Sequence, residues 1–203
     1  MNEMRDPKTD HLITPENAAL VVIDYQPTQV NSINSMSREK LVHNINVVAK
    51  IAKAYNLPVV LTTVNVANGR NKDTIDSLKT VLSDAPSIDR TTMNSWEDVN
   101  FRNAVNAMGR KKILMTALWT EVCLTFPTLD MIKEGYEIYP IVDAVGGTSK
   151  LAHDTALRRV EQAGAQLVTI PGLLCELQRD WSRTNTASDF LNLMFESGAF
   201  LKV

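Results

Sequence analysis

The chain has little of what marks several protein classes. Only two of its 203 residues are cysteines, Cys123 and Cys175, so no multi-bridge disulfide framework can hold it together. A chain of this length buries roughly 70% of its unfolded surface without such staples, and a reducing cytoplasm is the expected setting. Positive charge is not in excess. Twenty-one Lys and Arg face 23 Asp and Glu, for a net −2, which leaves no field to hold a polyphosphate backbone, and no nucleic-acid partner is expected. The longest apolar stretches, such as residues 113–119, fall far short of the roughly 20 residues needed to span a bilayer. Residues 1–10 are polar and mixed in charge, so a soluble protein without membrane contact or signal peptide is expected. Glycine is sparse, and none follows the first apolar run. There Asp24-Tyr25-Gln26-Pro27-Thr28-Gln29 has no G-x-G-x-x-G for close approach to a pyrophosphate, which argues against a dinucleotide cofactor. His11, His43 and His153 are scattered without ligand spacing. Neither a metal site nor any other cofactor is expected.

What is present is an ordinary globular balance, 44% apolar against 22% charged, arranged as short apolar runs alternating with longer amphipathic ones. Residues 19–24 form a strand that is apolar until its closing acid, as a strand covered on both faces must be. Residues 37–55 carry Leu41, Ile45, Val48, Ala49 and Ala52 at helical spacing, with Ser37 as N-cap and Pro58 beyond the end. The pattern continues with a strand at 58–63, a short helix at 72–83, a long loop at 84–97, and a helix at 98–108 closed by Gly109. A strand at 112–117, a helix from about 123 to 134, a strand at 137–142, a helix at 150–163 and a strand at 166–170 complete it. Five strands alternating with helices predict a doubly wound, mainly parallel α/β sheet. Gly146-Gly147 reads as a plain turn.

Such sheets bind ligands outside the carboxyl ends of their strands, where the strand order reverses. Two polar residues fall at such ends, Asp24 and Cys123. Pro127 is tolerated only in the first turn of a helix, so the helix starts near Cys123. A thiol at a helix N-terminus sits against positive dipole charge and free N–H groups, which favour thiolate and can hold a developing oxyanion. Each residue alone also has an ordinary explanation: Asp24 can cap a turn, and a lone cysteine among apolar neighbours can be a small core residue.

At Val21-Val22-Ile23-Asp24-Tyr25-Gln26 and Ala117-Leu118-Trp119-Thr120-Glu121-Val122-Cys123, the sequence resembles the isochorismatase-like cysteine hydrolases. The resemblance continues through Asp143-Ala144 and Ala163-Gly164-Ala165. In Asn56-Leu57-Pro58, Asp84-Ala85-Pro86, Asn94-Ser95-Trp96 and Cys175-Glu176-Leu177 it is similar to the YcaC-related branch. It covers about residues 15–181. The resemblance implies a three-layer α/β/α fold and a catalytic set of an acid, a cation and a nucleophile, which match Asp24, Arg90 and Cys123. Where the family commonly has lysine, this chain has Arg90, which stays protonated and acts only as a fixed charge. The resemblance further implies a cis peptide at Trp119–Thr120 and an oxyanion hole at Thr120 and Cys123. Tyr25, Asn94, Trp96 and Trp119 are the candidate substrate-binding residues, and Cys175 is read as structural.

The expected activity is hydrolysis of a small amide or related C–N bond through a thioester on Cys123. The competing class is an oligomeric thiol protein with a redox or ligand-binding role and no amidase turnover. Residues 1–181 form one domain. Residues 182–203 form a tail whose apolar Phe190, Phe200 and Leu201 suit either contact with a neighbouring subunit or packing on their own. A homo-oligomer is expected, a dimer or a larger assembly up to an octamer.

Overall fold

The computed structural model describes residues 5–200. Five strands, β1 (Ala18–Ile23), β2 (Val59–Val64), β3 (Ser87–Arg90), β4 (Lys112–Ala117) and β5 (Glu137–Pro140), form one parallel sheet in the order β3-β2-β1-β4-β5. The helices are α1 (Pro27–Asn31), α2 (Arg38–Ala54), α3 (Asp76–Val81), α4 (Val99–Ala107), α5 (Thr125–Lys133), α6 (Lys150–Gln162), α7 (Ile170–Gln178) and α8 (Thr184–Glu196). Among the described residues no helix is long and apolar enough to cross a membrane.

The central strand shows why the sequence is apolar throughout this run. Successive side chains of β1 point to opposite faces: Ala18, Leu20 and Val22 join a core with Leu41 and Ile45 of α2, Leu173 of α7 and Phe190 of α8. Ala19, Val21 and Ile23 join the opposite core with Phe101 of α4, Met131 of α5 and Val160 of α6. Helices on both faces make the three-layer doubly wound α/β/α architecture, and each large side chain so buried contributes roughly 1.5–3 kcal/mol. Local signals set the helix ends. The Ser37 hydroxyl accepts the Lys40 amide at 3.2 Å to begin α2, and Asp98 accepts two amides to begin α4. Gly109 follows α4 at φ 65, a left-handed conformation that costs glycine little.

Several expectations need correction. Residues 84–97 are not a loop: Ser87–Arg90 pairs with β2 as the edge strand β3, and Ser95–Glu97 is a turn of 3₁₀ helix. Neighbouring turn formers and a single large apolar residue, Ile88, hide the strand; backbone pairing to β2 makes it. Residues 166–170 fall short of a full sheet strand: they run beside β5, the Gln166 and Val168 amides donating to the Ile138 and Pro140 carbonyls and the Val142 amide to the Val168 carbonyl, but form only the bridge between Ile141 and Val168, because α7 begins at Ile170 with Pro171 in its first turn. The short helix is trimmed to α3, since residues 72–75 turn back to the sheet, where the Ile75 amide donates to the Tyr25 carbonyl at 2.9 Å.

The C-terminal segment packs on its own chain. Phe190, Leu193 and Met194 of α8 are buried in the core shared with α2 and α7, and Lys50 of α2 pairs with Glu196 at 2.5 Å. Trp181 and Leu191 remain exposed. Leu201 lies outside the described residues.

Candidate active site

Strand order reverses between β1 and β4, which are neighbours in register with Ile23 beside Ala117. The two chain segments leaving these strands therefore border one crevice. Asp24 is the first residue beyond β1, at φ 61, a left-handed conformation that a side chain occupies at a cost of about 1–3 kcal/mol and that the surroundings must hold in place. Its amide donates to the Thr62 carbonyl at 2.9 Å. Arg90, the last residue of β3, sends its guanidinium back across β2. Its Nη1 and Nη2 donate to the two Asp24 carboxylate oxygens at 2.7 and 2.8 Å, and Nη1 also donates to the Thr63 carbonyl at 3.0 Å. Neither side chain has any exposure. Cys123 comes from the turn after β4, and its Sγ lies 3.9 Å from Arg90 Nη2. An acid, a cation and a sulfur from three distant parts of the chain are in contact.

The turn carrying Cys123 is a single π-helical turn, Thr120–Leu124, that runs into α5, so the helical segment begins before the cysteine and not at it. The thiol is not poised as thiolate. Burial above all, then the negative charge of Asp24, push its pKa up, against the pull of Arg90 and of a hydrogen bond from the Trp119 backbone; a hydrogen bond with Asp24 also favours the protonated form. Burial of the sulfur and the charge of Asp24 thus outweigh Arg90, and the protonated thiol is favoured beside the arginine-held Asp24. Cys123 is buried, with 8% of its surface exposed.

A cis peptide is present, but one bond earlier than expected, between Leu118 and Trp119. Thr120 does not fit an oxyanion hole: its amide already donates to the Gly146 carbonyl at 2.9 Å and its hydroxyl shares a 2.8 Å hydrogen bond with His153 Nδ1. The backbone group directed at the sulfur belongs to Trp119.

The architecture and this crevice are matched by known proteins. The family model for the isochorismatase domain matches residues 18–171. The chain belongs to the isochorismatase family. It is 34% identical over 188 residues to the probable hydrolase YcaC of Escherichia coli strain K12, covering 88% of this chain and 90% of that one. The crystal structure of that E. coli YcaC gene product, described as an octameric hydrolase of unknown specificity, superimposes with a TM-score of 0.82 at 33% identity over 95% of this chain and 98% of that one. YcaC from Pseudomonas aeruginosa, crystallised with hexane-2,5-diol and covalent acrylamide, gives a TM-score of 0.83 at 30% identity over 94% of this chain and 98% of that one.

Of the remaining residues expected to line the site of this isochorismatase-family chain, Trp119 adjoins the sulfur through its backbone. Its half-buried indole packs against the core that holds Leu20 and Val22, opposite the one that holds Cys123, and its N–H donates to Ser32 Oγ at 2.6 Å. Tyr25 is a core side chain, 1% exposed, whose hydroxyl donates to the Ala144 carbonyl. Asn94 caps the 3₁₀ turn, accepting the Trp96 amide at 3.1 Å and donating to Asp130 at 2.7 Å. Trp96 packs edge-on against Phe101 and Tyr136 and donates to Glu134 at 2.9 Å, which fixes it to α5. These three look inward because an adjacent backbone turn and α5 supply their polar partners. Cys175 lies on α7 as expected, but exposed, so no packing role follows. Asn56-Leu57-Pro58 and Asp84-Ala85-Pro86 build the far end of the sheet, around a cavity of about 640 Å³.

Sequence reasoning missed the support behind Cys123. Gly146-Gly147 is no plain turn: Gly146 bridges Leu118 and accepts the Thr120 amide, while Gly147 accepts the amides of Asn34 and Ser35. The adjacent glycines were the available signal. A side chain at Gly146 would meet Ile33 at 2.8 Å, and one at Gly147 would meet Glu121 at 2.6 Å. Asp143 serves structure too, both of its carboxylate oxygens accepting the Ile170 amide that opens α7, at 3.1 and 3.0 Å.

Proposed function

We propose that the protein hydrolyses the C–N bond of a small amide through a covalent thioester on Cys123. The observation that carries this reading is the fork of Arg90 on Asp24 with Cys123 Sγ 3.9 Å from the same guanidinium. Asp24 takes the thiol proton as sulfur attacks the carbonyl carbon, so the raised thiol pKa poses no obstacle: the charge forms only when the electrophile is present. Arg90 keeps its proton throughout and offsets the negative charge shared by carboxylate and sulfur. The Trp119 amide, with that of Cys123, receives the developing oxyanion. Asp24 returns the proton to the departing ammonia or amine, then draws one from water as that water opens the thioester to the free acid and restored thiol.

The near-closed sulfur suits a small acyl group. A redox-sensing role fits less well, since sensors depend on accessible, low-pKa thiols. The octameric assembly of E. coli YcaC, together with the exposed Trp181 and Leu191, supports a homo-oligomer, and the two free thiols suit a reducing cytoplasm. The test is ammonia release from a panel of primary amides by the wild type and Cys123→Ala. Turnover by the wild type and none by the variant is the expected result; equal turnover by both overturns the assignment, and none by either removes amidase activity.

A further inference from the structure

Glu121 lies two residues before Cys123, on the same π turn, and its carboxylate meets residues 147 and 148. Its Oε1 accepts two hydrogen bonds from Thr148, from the amide at 3.0 Å and from the hydroxyl at 2.6 Å. Its Oε2 is buried with no partner, against Gly147, where a Cβ would sit 2.6 Å away. Glu121 is only half-buried, but its Oε2 is closed off from solvent without a partner, and a stranded polar atom of that kind calls for a reason other than stability. The same short segment also bridges Leu118 and accepts the Thr120 amide through Gly146. Residues 146–148 therefore grip the chain on both sides of Trp119 and just ahead of Cys123, and through Gly147 they are tied to Asn34 and Ser35.

We infer that Glu121 and Thr148 form a clasp that positions the Cys123 sulfur and the Trp119 amide relative to Asp24 and Arg90. Glu121 touches no reacting atom; it is a positioning residue that acts through the turn it shares with Cys123. A Cβ at Gly147 would meet Glu121 Oε2 at 2.6 Å and the Cβ and Cα of His153 at 3.0 and 3.2 Å, so the clasp and α6 both press on this glycine. The inference rests on the thioester reading for its consequence in turnover, but the geometry of the sulfur can be read without any amide.

The test uses full-length Thr148→Val, which removes the hydroxyl donor, Thr148→Ser, which keeps it, Glu121→Ala, and the Glu121→Ala/Thr148→Val double variant. The first readout is the rate of covalent addition of acrylamide to Cys123, followed between pH 6 and 9 by mass spectrometry of the proteolytic peptide that holds Cys123, since the exposed Cys175 also reacts. In that addition the sulfur bonds to the terminal alkene carbon and the thiol proton passes to the neighbouring carbon. Thr148→Val and Glu121→Ala are expected to slow addition on the order of ten- to a hundredfold, with melting temperatures within a few degrees of wild type. Thr148→Ser should restore the rate, and the double variant should be no slower than the slower single, as expected of two residues acting through one contact. With an amide that is turned over, the same variants should lower kcat and leave KM within about twofold. Wild-type addition rates in Thr148→Val and Glu121→Ala, additive losses in the double variant, or a slow Thr148→Ser would each overturn the clasp. If no amide is hydrolysed by the wild type, the amidase reading fails and the acrylamide series still decides the inference.

Discussion

Asp24 and Arg90, 66 positions apart in the chain, form a two-pronged ion pair at 2.7 and 2.8 Å with no solvent exposure on either side chain. Such a pair stabilises little by its mere existence, because both charges lose their hydration on burial. Its consequence is geometric. The fork fixes the carboxylate plane, and the sulfur of Cys123 is held against the same guanidinium.

Removing the cation should therefore be severe. Arg90→Met leaves Asp24 buried and unpaired, and should lower the unfolding free energy by about 3–5 kcal/mol in a urea titration, with loss of amide turnover. Arg90→Lys keeps a charge but loses the fork, and should lie between wild type and Arg90→Met in both measurements. A fully stable Arg90→Met would show that Asp24 does not depend on this partner.

The thiol makes stability sensitive to alkali. Burial, then Asp24, raise the Cys123 pKa above its ordinary 9.0, so the folded state favours the protonated form. The associated stability is whole below pH 9, where the unfolded thiol is also protonated, and is lost as pH rises through the folded value. Unfolding free energy should decline above pH 9, and Cys123→Ala should remove that first part of the decline. The part contributed by Tyr25, whose pKa burial also raises above 10.0, should persist. Over the same range, alkylation of wild-type Cys123 should climb without a plateau near neutral pH; a plateau below pH 8 contradicts the protonated resting thiol.

Asn94 and Trp96 should behave as structural residues. Asn94→Ala removes a cap and the bond to Asp130, and Trp96→Phe removes the bond to Glu134. Each should cost about 1 kcal/mol in stability while the rank order of amide substrates stays unchanged. Trp119→Ala should alter that order and raise KM. A changed substrate order in Trp96→Phe would return that residue to the pocket wall.

Association is best tested by point changes on α8 and the segment before it, since deleting the helix would expose the core that Phe190, Leu193 and Met194 fill. The double variant Trp181→Lys/Leu191→Asp should reduce the mass measured by light scattering with little change in melting temperature. An unchanged mass would clear this face of a role in assembly.

The sheet and its helices were largely legible in the amino-acid sequence because each element carries its own signal. An unbroken apolar run such as residues 18–23 requires cover on both faces, and the helical spacing from Leu41 to Ala52, with Ser37 before it, leaves one reading. β3 was not legible, since an edge strand of four residues needs no apolar pattern: its pairing to β2 is made by backbone groups that every residue has. The 166–170 segment differed in the opposite sense, with a strand's composition but a helix start at Ile170 that cut it to one bridge.

For the site, the sequence by itself offered an acid at the end of the first strand and a cysteine at the head of a later helix, and the resemblance to the isochorismatase-like hydrolases added Arg90. Only the tertiary structure decided what those side chains do to one another. Whether a carboxylate is paired, a thiol neutral or an amide already spent depends on distances of 3–4 Å between groups far apart in the chain, and on how much water is excluded around them. That is why Asp24, Arg90 and Cys123 could be named in advance, while the protonated thiol, the engaged Thr120 amide, the inward turn of Tyr25 and the grip of Thr148 on Glu121 emerged only once the chain had closed around them.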